Sequence, residues 1–259
     1  MTGKDGIVRT VSRRAAIGLP LALTGCGLWD TWFGQVKPPI PGKREPVLGV
    51  ADVLAVESGA PKVVLPPPVR NAAWPQAGGN PAHLMGHLEA RPSLSEAWEV
   101  SIGAGGGYRQ KILAQPVVAG GIVYAMDSAA HVLALALPDG RLHWRFDTRN
   151  KKSRSTNIGG GIGWADGILY AVNGLGDVVA LDAERGTQIW RVTVGAPGRS
   201  APTIVEGRIF LTTIEDRIVA LDAKAGRHLW DYQAVNAVTA ILGEPAPAYA
   251  DGLVVAGFA

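Results

Sequence analysis

The stretch ALDAERGTQIW, Ala180–Trp190, returns forty residues later as ALDAKAGRHLW, Ala220–Trp230. The charged letters change freely, while Ala, Leu, Asp, Gly and Trp keep their places. Trp98, Trp144, Trp190 and Trp230 are spaced 46, 46 and 40 apart, and Gly121, Gly167, Gly207 and Gly252 are spaced 46, 40 and 45. A period of roughly 40 to 46 residues signals a repeat architecture.

One period, Ser200 to Tyr232, holds four strand signals: APTIVEG, RIFLTTIED, RIVALDAKAG and RHLWDYQ. Apolar and polar residues alternate, with Gly or Asp turns between the runs, which predicts antiparallel hairpins rather than helices. Four strands per period is the blade of an all-β propeller. Asp182 and Gly186 are expected to shape the return to the fourth strand, Gly tolerating positive φ. The indoles of Trp98, Trp144, Trp190 and Trp230 are expected to lie between blades, burying large area and donating through N–H. Glu184, Arg185, Lys224 and His228 face solvent. The segment Pro116–Trp144 carries the same pattern in looser form, with Leu137 read in place of the Asp. Asp127, Asp177 and Asp216 are read at equivalent blade positions, as turn-shaping residues.

Charge separates the folded part from its leader. The chain has 25 Lys+Arg and 22 Asp+Glu, and the first 26 residues hold Lys4, Arg9, Arg13 and Arg14 against Asp5 alone. The remainder carries no surplus of either sign, so the composition excludes a nucleic-acid binder. Arg13-Arg14 followed by the short apolar run Ala15–Leu23 reads as an export signal, too short to span a membrane. Leu23-Thr24-Gly25-Cys26 is similar to a lipoprotein lipobox, and Cys26, the single cysteine, is expected to receive the lipid. The motif Ser12-Arg13-Arg14 also suits twin-arginine export, although Ala16 stands where that pattern prefers Phe; general secretion is the other route. Gly27, rather than Asp, favours an outer-membrane destination. Residues 1–25 are therefore read as signal peptide, 26–72 as lipidated Cys and Pro-rich tether, and 73–259 as a partial propeller.

The pattern A-L-D-x-x-x-G-x-x-x-W resembles the tryptophan-docking motif of PQQ-type propellers. With the lipobox, WPQAGGNPAH after the tether, IGGGIGWADG (Ile158–Gly167) and GRSAPTIVEGRIF (Gly198–Phe210), the chain resembles the BamB-like lipoproteins of the outer-membrane barrel-assembly machinery. That resemblance implies an eight-bladed ring, of which about half is expected here: three full blades plus parts of two, with Trp98 on the last strand of a preceding blade and the chain ending inside a fourth. It further implies a scaffold without catalysis or cofactor, on the periplasmic face of the outer membrane. Its partner would be the POTRA region of a BamA-like protein, held through inter-blade loops. The matching loops place Arg199 first, shaped by Pro197 and Gly198, and then Ile241–Glu244 on the same rim, with Leu242 and Glu244. The alternative is a fragment of a membrane-tethered PQQ-dependent dehydrogenase. Such enzymes use an adjacent cysteine pair, a calcium site and a catalytic Asp, and this chain has one cysteine.

Other signals carry less. His83 and His87 stand four apart in HLMGH, a spacing that suits metal ligands, but the surrounding Gly/Pro-rich lead-in offers no partner carboxylate. The runs GAGGGY (Gly103–Tyr108) and IGGGIG lack the Lys of a phosphate cradle and read as flexible inter-blade loops. RNKKSRS, Arg149–Ser155, reads as a solvated basic loop able to touch an acidic partner or lipid headgroups.

Overall fold

Two-residue turns set the strand pairing. Gly120-Gly121, Asp166-Gly167, Glu206-Gly207 and Asp251-Gly252 all have positive φ, the conformation of type I′ turns, whose twist matches that of the strands they join. The computed structural model describes residues 62–108, 111–150, 159–235 and 243–258. Within them lie three four-stranded antiparallel sheets and one two-stranded sheet. The first blade is β1 (Val117–Ala119), β2 (Ile122–Met126), β3 (His131–Ala136) and β4 (Leu142–Asp147). The second is β5 (Gly160–Ala165), β6 (Ile168–Asn173), β7 (Asp177–Asp182) and β8 (Gln188–Thr193). The third is β9 (Thr203–Val205), β10 (Arg208–Thr213), β11 (Arg217–Asp222) and β12 (His228–Gln233); β13 (Ala248–Ala250) and β14 (Leu253–Val255) begin a fourth. Strand order follows chain order in each blade.

The middle strands do not alternate between core and solvent. In β7, Val178 through Leu181 are all fully buried, because a blade has a neighbour on each face. The pleat instead sorts side chains by neighbour. Val179 and Leu181, with Leu169 and Ala171 of β6, join the first blade's Val117, Tyr124 and Val132 in one cluster. Val178, Ala180, Tyr170 and Val172 join Ile209, Leu211, Val219 and Leu221 of the third. Each buried Leu, Ile or Val stabilises this stack by about 1.5–3 kcal/mol.

The repeated letters form the joint between blades. Trp144 Nε1 donates to the Ala183 carbonyl at 3.0 Å, and Trp190 Nε1 to that of Ala223 at 3.2 Å. Tyr124 and Tyr170 donate their hydroxyls to the same two carbonyls at 3.1 and 3.2 Å. Each indole lies over the next blade's motif glycine. A Cβ on Gly186, where φ is +68°, would sit 2.5 Å from Trp144 Cδ2; one on Gly226 would sit 2.8 Å from Trp190 Cε3. Glycine is thus required twice, by backbone and by neighbour. Asp182 closes the turn itself, its Oδ1 accepting from the Glu184 and Arg185 amides at 3.1 and 2.8 Å.

Trp98 lies outside any strand, although it was expected on one. Its indole still docks by the same rule, donating to the Leu137 carbonyl at 2.9 Å and covering Gly140. Leu137 is therefore the counterpart of Ala183 and Ala223, and Ala136 stands where the motif has Asp, one residue before the assignment made from sequence. Trp230 is 41% exposed; it tilts against Phe210 with ring centroids 5.7 Å apart.

The innermost strands β1, β5, β9 and β13 lie side by side in that order, and one segment crosses them all. Trp74 pairs with Val118 through backbone bonds of 2.7 and 2.8 Å, and Pro75 accepts from the Trp164 amide at 2.7 Å. Gln76 bonds both backbone groups of Ile204 through its amide, at 2.7 and 2.8 Å, and Pro81 accepts from the Tyr249 amide at 2.7 Å. The sequence WPQAGGNP is a strap binding the inner edges of four blades. Just before it, Val69 exchanges backbone bonds of 2.9 Å with His87 and Glu89, and Val63–Ala259 forms one compact unit.

Candidate partner-binding rim

Antiparallel order puts the loops that enter each first strand and the turns between second and third strands at one end of the blades. The loop Val194–Ser200 and the turn Thr213–Asp216 meet there. Ile214 N donates to Pro197 O at 2.9 Å, Arg199 N to Thr212 O at 2.9 Å, and Gly198 N to Asn173 O at 3.2 Å. Glu244 N reaches the Arg199 carbonyl at 3.3 Å, so the two loops read from sequence as one rim are indeed brought into contact. Gly198 has no room for a side chain, since a Cβ would sit 2.3 Å from Val172 Cγ1.

Exposure separates these residues. Arg199 is 8% exposed and Ser200 1%; the guanidinium points into the rim rather than out from it. Thr193 and Gly195 are exposed, and Pro197 and Glu244 half-buried. Burial raises the Glu244 carboxyl above its usual range; the nearby Thr212 hydroxyl and the Arg199 charge oppose this, while the Asp216 charge adds to it. Leu242 and Cys26 lie outside the described residues, as do Lys151, Lys152 and Arg154 of the basic loop. Arg149, its described member, is held by Asp147 at 2.7 Å.

The three aspartates are not equivalent. Asp127 opens its turn, and its counterpart in the second blade is Asn173. Asp127 Oδ1 accepts from the Ala129 and His131 amides at 2.9 and 2.8 Å; Asn173 Oδ1 accepts from those of Leu175 and Asp177, both at 3.0 Å. Burial works to raise the Asp127 carboxyl, but the His131 and Ala104 amides and the His131 ring outweigh it and hold the carboxyl below its usual range. Asp216 sits two residues further from its strand, at φ 54, where Ala130 (φ 64) and Gly176 (φ 86) stand in the other blades. Asp177 begins β7 and pairs with Arg191 at 3.0 Å. Turn closure accounts for Asp127, and an ion pair for Asp177.

One further expectation changes. Gly160 to Gly163 are not a flexible loop but strand β5, bare because the third blade packs onto its backbone. A Cβ on Gly161 would sit 2.7 Å from Ala201 Cβ, and one on Gly163 2.5 Å from Ile204 Cδ1. His83 and His87 do not converge: His87 Nδ1 meets Pro66 O at 2.7 Å, and burial lowers the His83 pKa. No group of three or more His, Cys, Asp or Glu side chains placed to hold a metal occurs among the described residues. Nor is any helix among them long and apolar enough to cross a membrane. Sequence reasoning missed Gln76, the one polar side chain that ties the strap to β9; its only signal was a lone Gln between apolar and Gly residues.

The family model of outer membrane protein assembly factor BamB matches residues 128–259, from the third strand of the first blade onward. The chain belongs to this family. BamB of Yersinia pestis is 26% identical over 175 residues, 66% of this chain and 44% of that protein. BamB of Nitrosomonas eutropha is 25% identical over 171 residues, 66% of this chain and 39% of that one. The chain thus spans less than half the length of these curated relatives. Among solved structures, the quinohemoprotein alcohol dehydrogenase ADHIIG of Pseudomonas putida HK5 superposes with a TM-score of 0.56 at 19% identity, over 69% of this chain and 33% of that one. At that identity the likeness is one of fold, and it agrees with a propeller built of PQQ-type repeats.

Proposed function

We propose that this BamB-family chain is a non-catalytic scaffold of the outer-membrane barrel-assembly machinery, tethered by lipid at Cys26 on the periplasmic face. Its propeller rim takes a BamA-like subunit. The observation that supports this reading is the rim itself. The loop Thr193–Arg199 and Glu244 form one backbone-bonded surface, with Thr193 and Gly195 outward and Arg199 bracing it from within. A rigid rim with exposed small residues suits docking against another protein's backbone edge. Arg199 then acts by holding the loop, and Pro197, Gly198, Leu242 and Glu244 define the contact. The domain plan that accompanies this reading is a signal peptide to residue 25, a tether to 72 and the propeller beyond.

The test is co-purification of the full-length lipoprotein with the BamA-like subunit of its own organism. Gly195→Glu and Pro197→Glu are expected to weaken capture by about tenfold, near 1.4 kcal/mol; Pro197→Glu leaves thermal unfolding unchanged, while Gly195→Glu, at φ 85, also costs about 1–2 kcal/mol of stability. Undiminished capture would take these loops out of the interface. Dye reduction by the protein loaded with quinone and calcium would favour the dehydrogenase reading instead.

A further inference from the structure

The joint between the second and third blades differs from the one before it. Aligned by their tryptophans, Phe146 of β4 corresponds to Val192 of β8, and Asp177 of β7 to Arg217 of β11. Phe146 packs into the cluster with Val179 and Leu181; Val192 meets their counterparts Val219 and Leu221 with a much smaller side chain. The lost ring leaves a cavity of about 310 Å³ lined by Val192, Val194, Val219 and Leu221, with Arg217 and His228 among its polar members. Both blades that form it are four-stranded and complete.

Arg217 is loosely engaged there. One guanidinium nitrogen donates to Val194 O at 2.8 Å, but its carboxylates are distant, Asp231 at 3.8 Å and Glu215 at 4.0 Å. Its terminal nitrogens are thus held by long ion pairs, which a carboxylate entering the cavity can shorten. By contrast, the previous joint closes its ion pair at 3.0 Å between Asp177 and Arg191. His228, 2.9 Å from Asp231, stands beside Arg217 with a side chain 57% exposed.

We propose that this inter-blade cavity binds a small carboxylate with an apolar body. Arg217 takes the carboxylate through its terminal guanidinium nitrogens, and His228 adds a second donor. The valines and Leu221 cover a body about the size of a phenyl ring, which a cavity of this volume accommodates. The chemistry is shared by a free aryl or aliphatic acid and by the C-terminal residue of an apolar peptide. The proposal does not depend on the assembly role of the rim.

The test is isothermal titration of the full-length protein with 3-phenylpropionate, supported by ligand-observed NMR. Saturable one-to-one binding is expected, weakened about tenfold or more with 3-phenylpropionamide or in Arg217→Gln, the loss of a charge-assisted pair. Val192→Phe, which restores the residue of the preceding joint, is expected to abolish binding and to raise the unfolding temperature. A short peptide ending in Phe, with its C-terminus free or amidated, separates the two sources. Tighter binding of the free-ended peptide than of the acid assigns a chain terminus; the reverse assigns a free acid. No saturation up to about 10 mM, a floor near 2.7 kcal/mol, would overturn the proposal. So would equal binding of the amide, or binding that survives Val192→Phe.

Discussion

Gly186 and Gly167 lie in the same blade, both at positive φ, +68° and +80°. They differ in what stands above them. A Cβ on Gly167 meets nothing within 4 Å, while one on Gly186 falls 2.5 Å from Trp144 Cδ2 and 2.7 Å from Cγ. Alanine at either position faces the left-handed backbone penalty, about 1–2 kcal/mol, partly offset because alanine has less freedom to lose on folding, about 0.4–1 kcal/mol. Gly167→Ala should therefore cost about 1 kcal/mol. Gly186→Ala must also move the indole, adding about 1–3 kcal/mol of overpacking. Losing the Trp144–Ala183 hydrogen bond adds about 1 kcal/mol more, for a total of about 3–5. Urea unfolding followed by circular dichroism reads both, and for a domain of this size the gap of about 2–4 kcal/mol lowers the melting temperature by roughly 4–16 °C. In Trp144→Ala, which costs about 3–5 kcal/mol alone, the two glycine variants should become alike. Equal losses in the wild-type background would refute the claim that the motif glycine exists to seat the neighbouring indole.

Burial pushes the Tyr124 and Tyr170 hydroxyls up to about 12, with the Asp182 and Glu184 charges adding for Tyr124 and those of Asp166 and Asp222 for Tyr170. The unfolded chain releases these protons near pH 10 while the fold retains them, so their contribution is complete below pH 10 and lost as pH rises toward 12. Tyr124→Phe and Tyr170→Phe should each lower stability at neutral pH by about 0.5–1.5 kcal/mol and flatten the alkaline decline; an unchanged alkaline profile would contradict the assignment. The raised Glu244 carboxyl acts in the same sense, favouring the fold below the ordinary carboxylate range and losing that benefit as pH rises through its folded pKa. Glu244→Gln should thus be stabilising at pH 7 and near neutral at pH 4, measured by thermal unfolding, and a loss of stability at pH 7 would contradict it.

The blade was legible because its constraints are local and repeated. Gly186 and Trp190 recur unaltered in Gly226 and Trp230, since each indole needs a bare backbone above it. The looser first blade was misregistered by one residue: Ala136 stands in the Asp position, Asp139 closes the turn instead by accepting from the Arg141 amide, and the Trp98 bond to the Leu137 carbonyl fixes the register. Glycine was the least transparent residue. In Gly160–Gly163 it signals close approach of Ala201 and Ile204, a contact made by residues forty positions away, whereas composition alone suggests a loop. The strap from Trp74 to Pro81 was hidden for a related reason, because most of its bonds to the blades are made by backbone atoms and, among the described residues, Gln76 alone commits a side-chain hydrogen bond to them. Alternation of apolar and polar letters correctly indicated strands. It did not indicate that odd and even residues of β7 serve two different neighbours, so that both are buried. At the rim, the loop pairing of Arg199 with Glu244 followed from repeat position. The inward direction of Arg199 did not, since nothing in GRSAPT distinguishes a buried guanidinium from an exposed one.

The central claim is that the indoles of Trp144 and Trp190 are bonded to the following blade, and indole N–H exchange in tryptophan-labelled protein tests it most directly. The Nε1 protons of Trp144 and Trp190, bonded to Ala183 and Ala223, should exchange only with opening of the blade stack, orders of magnitude more slowly than free indole. Trp230, more exposed, should exchange faster than either. Rates for Trp144 and Trp190 close to that of free indole would contradict the account.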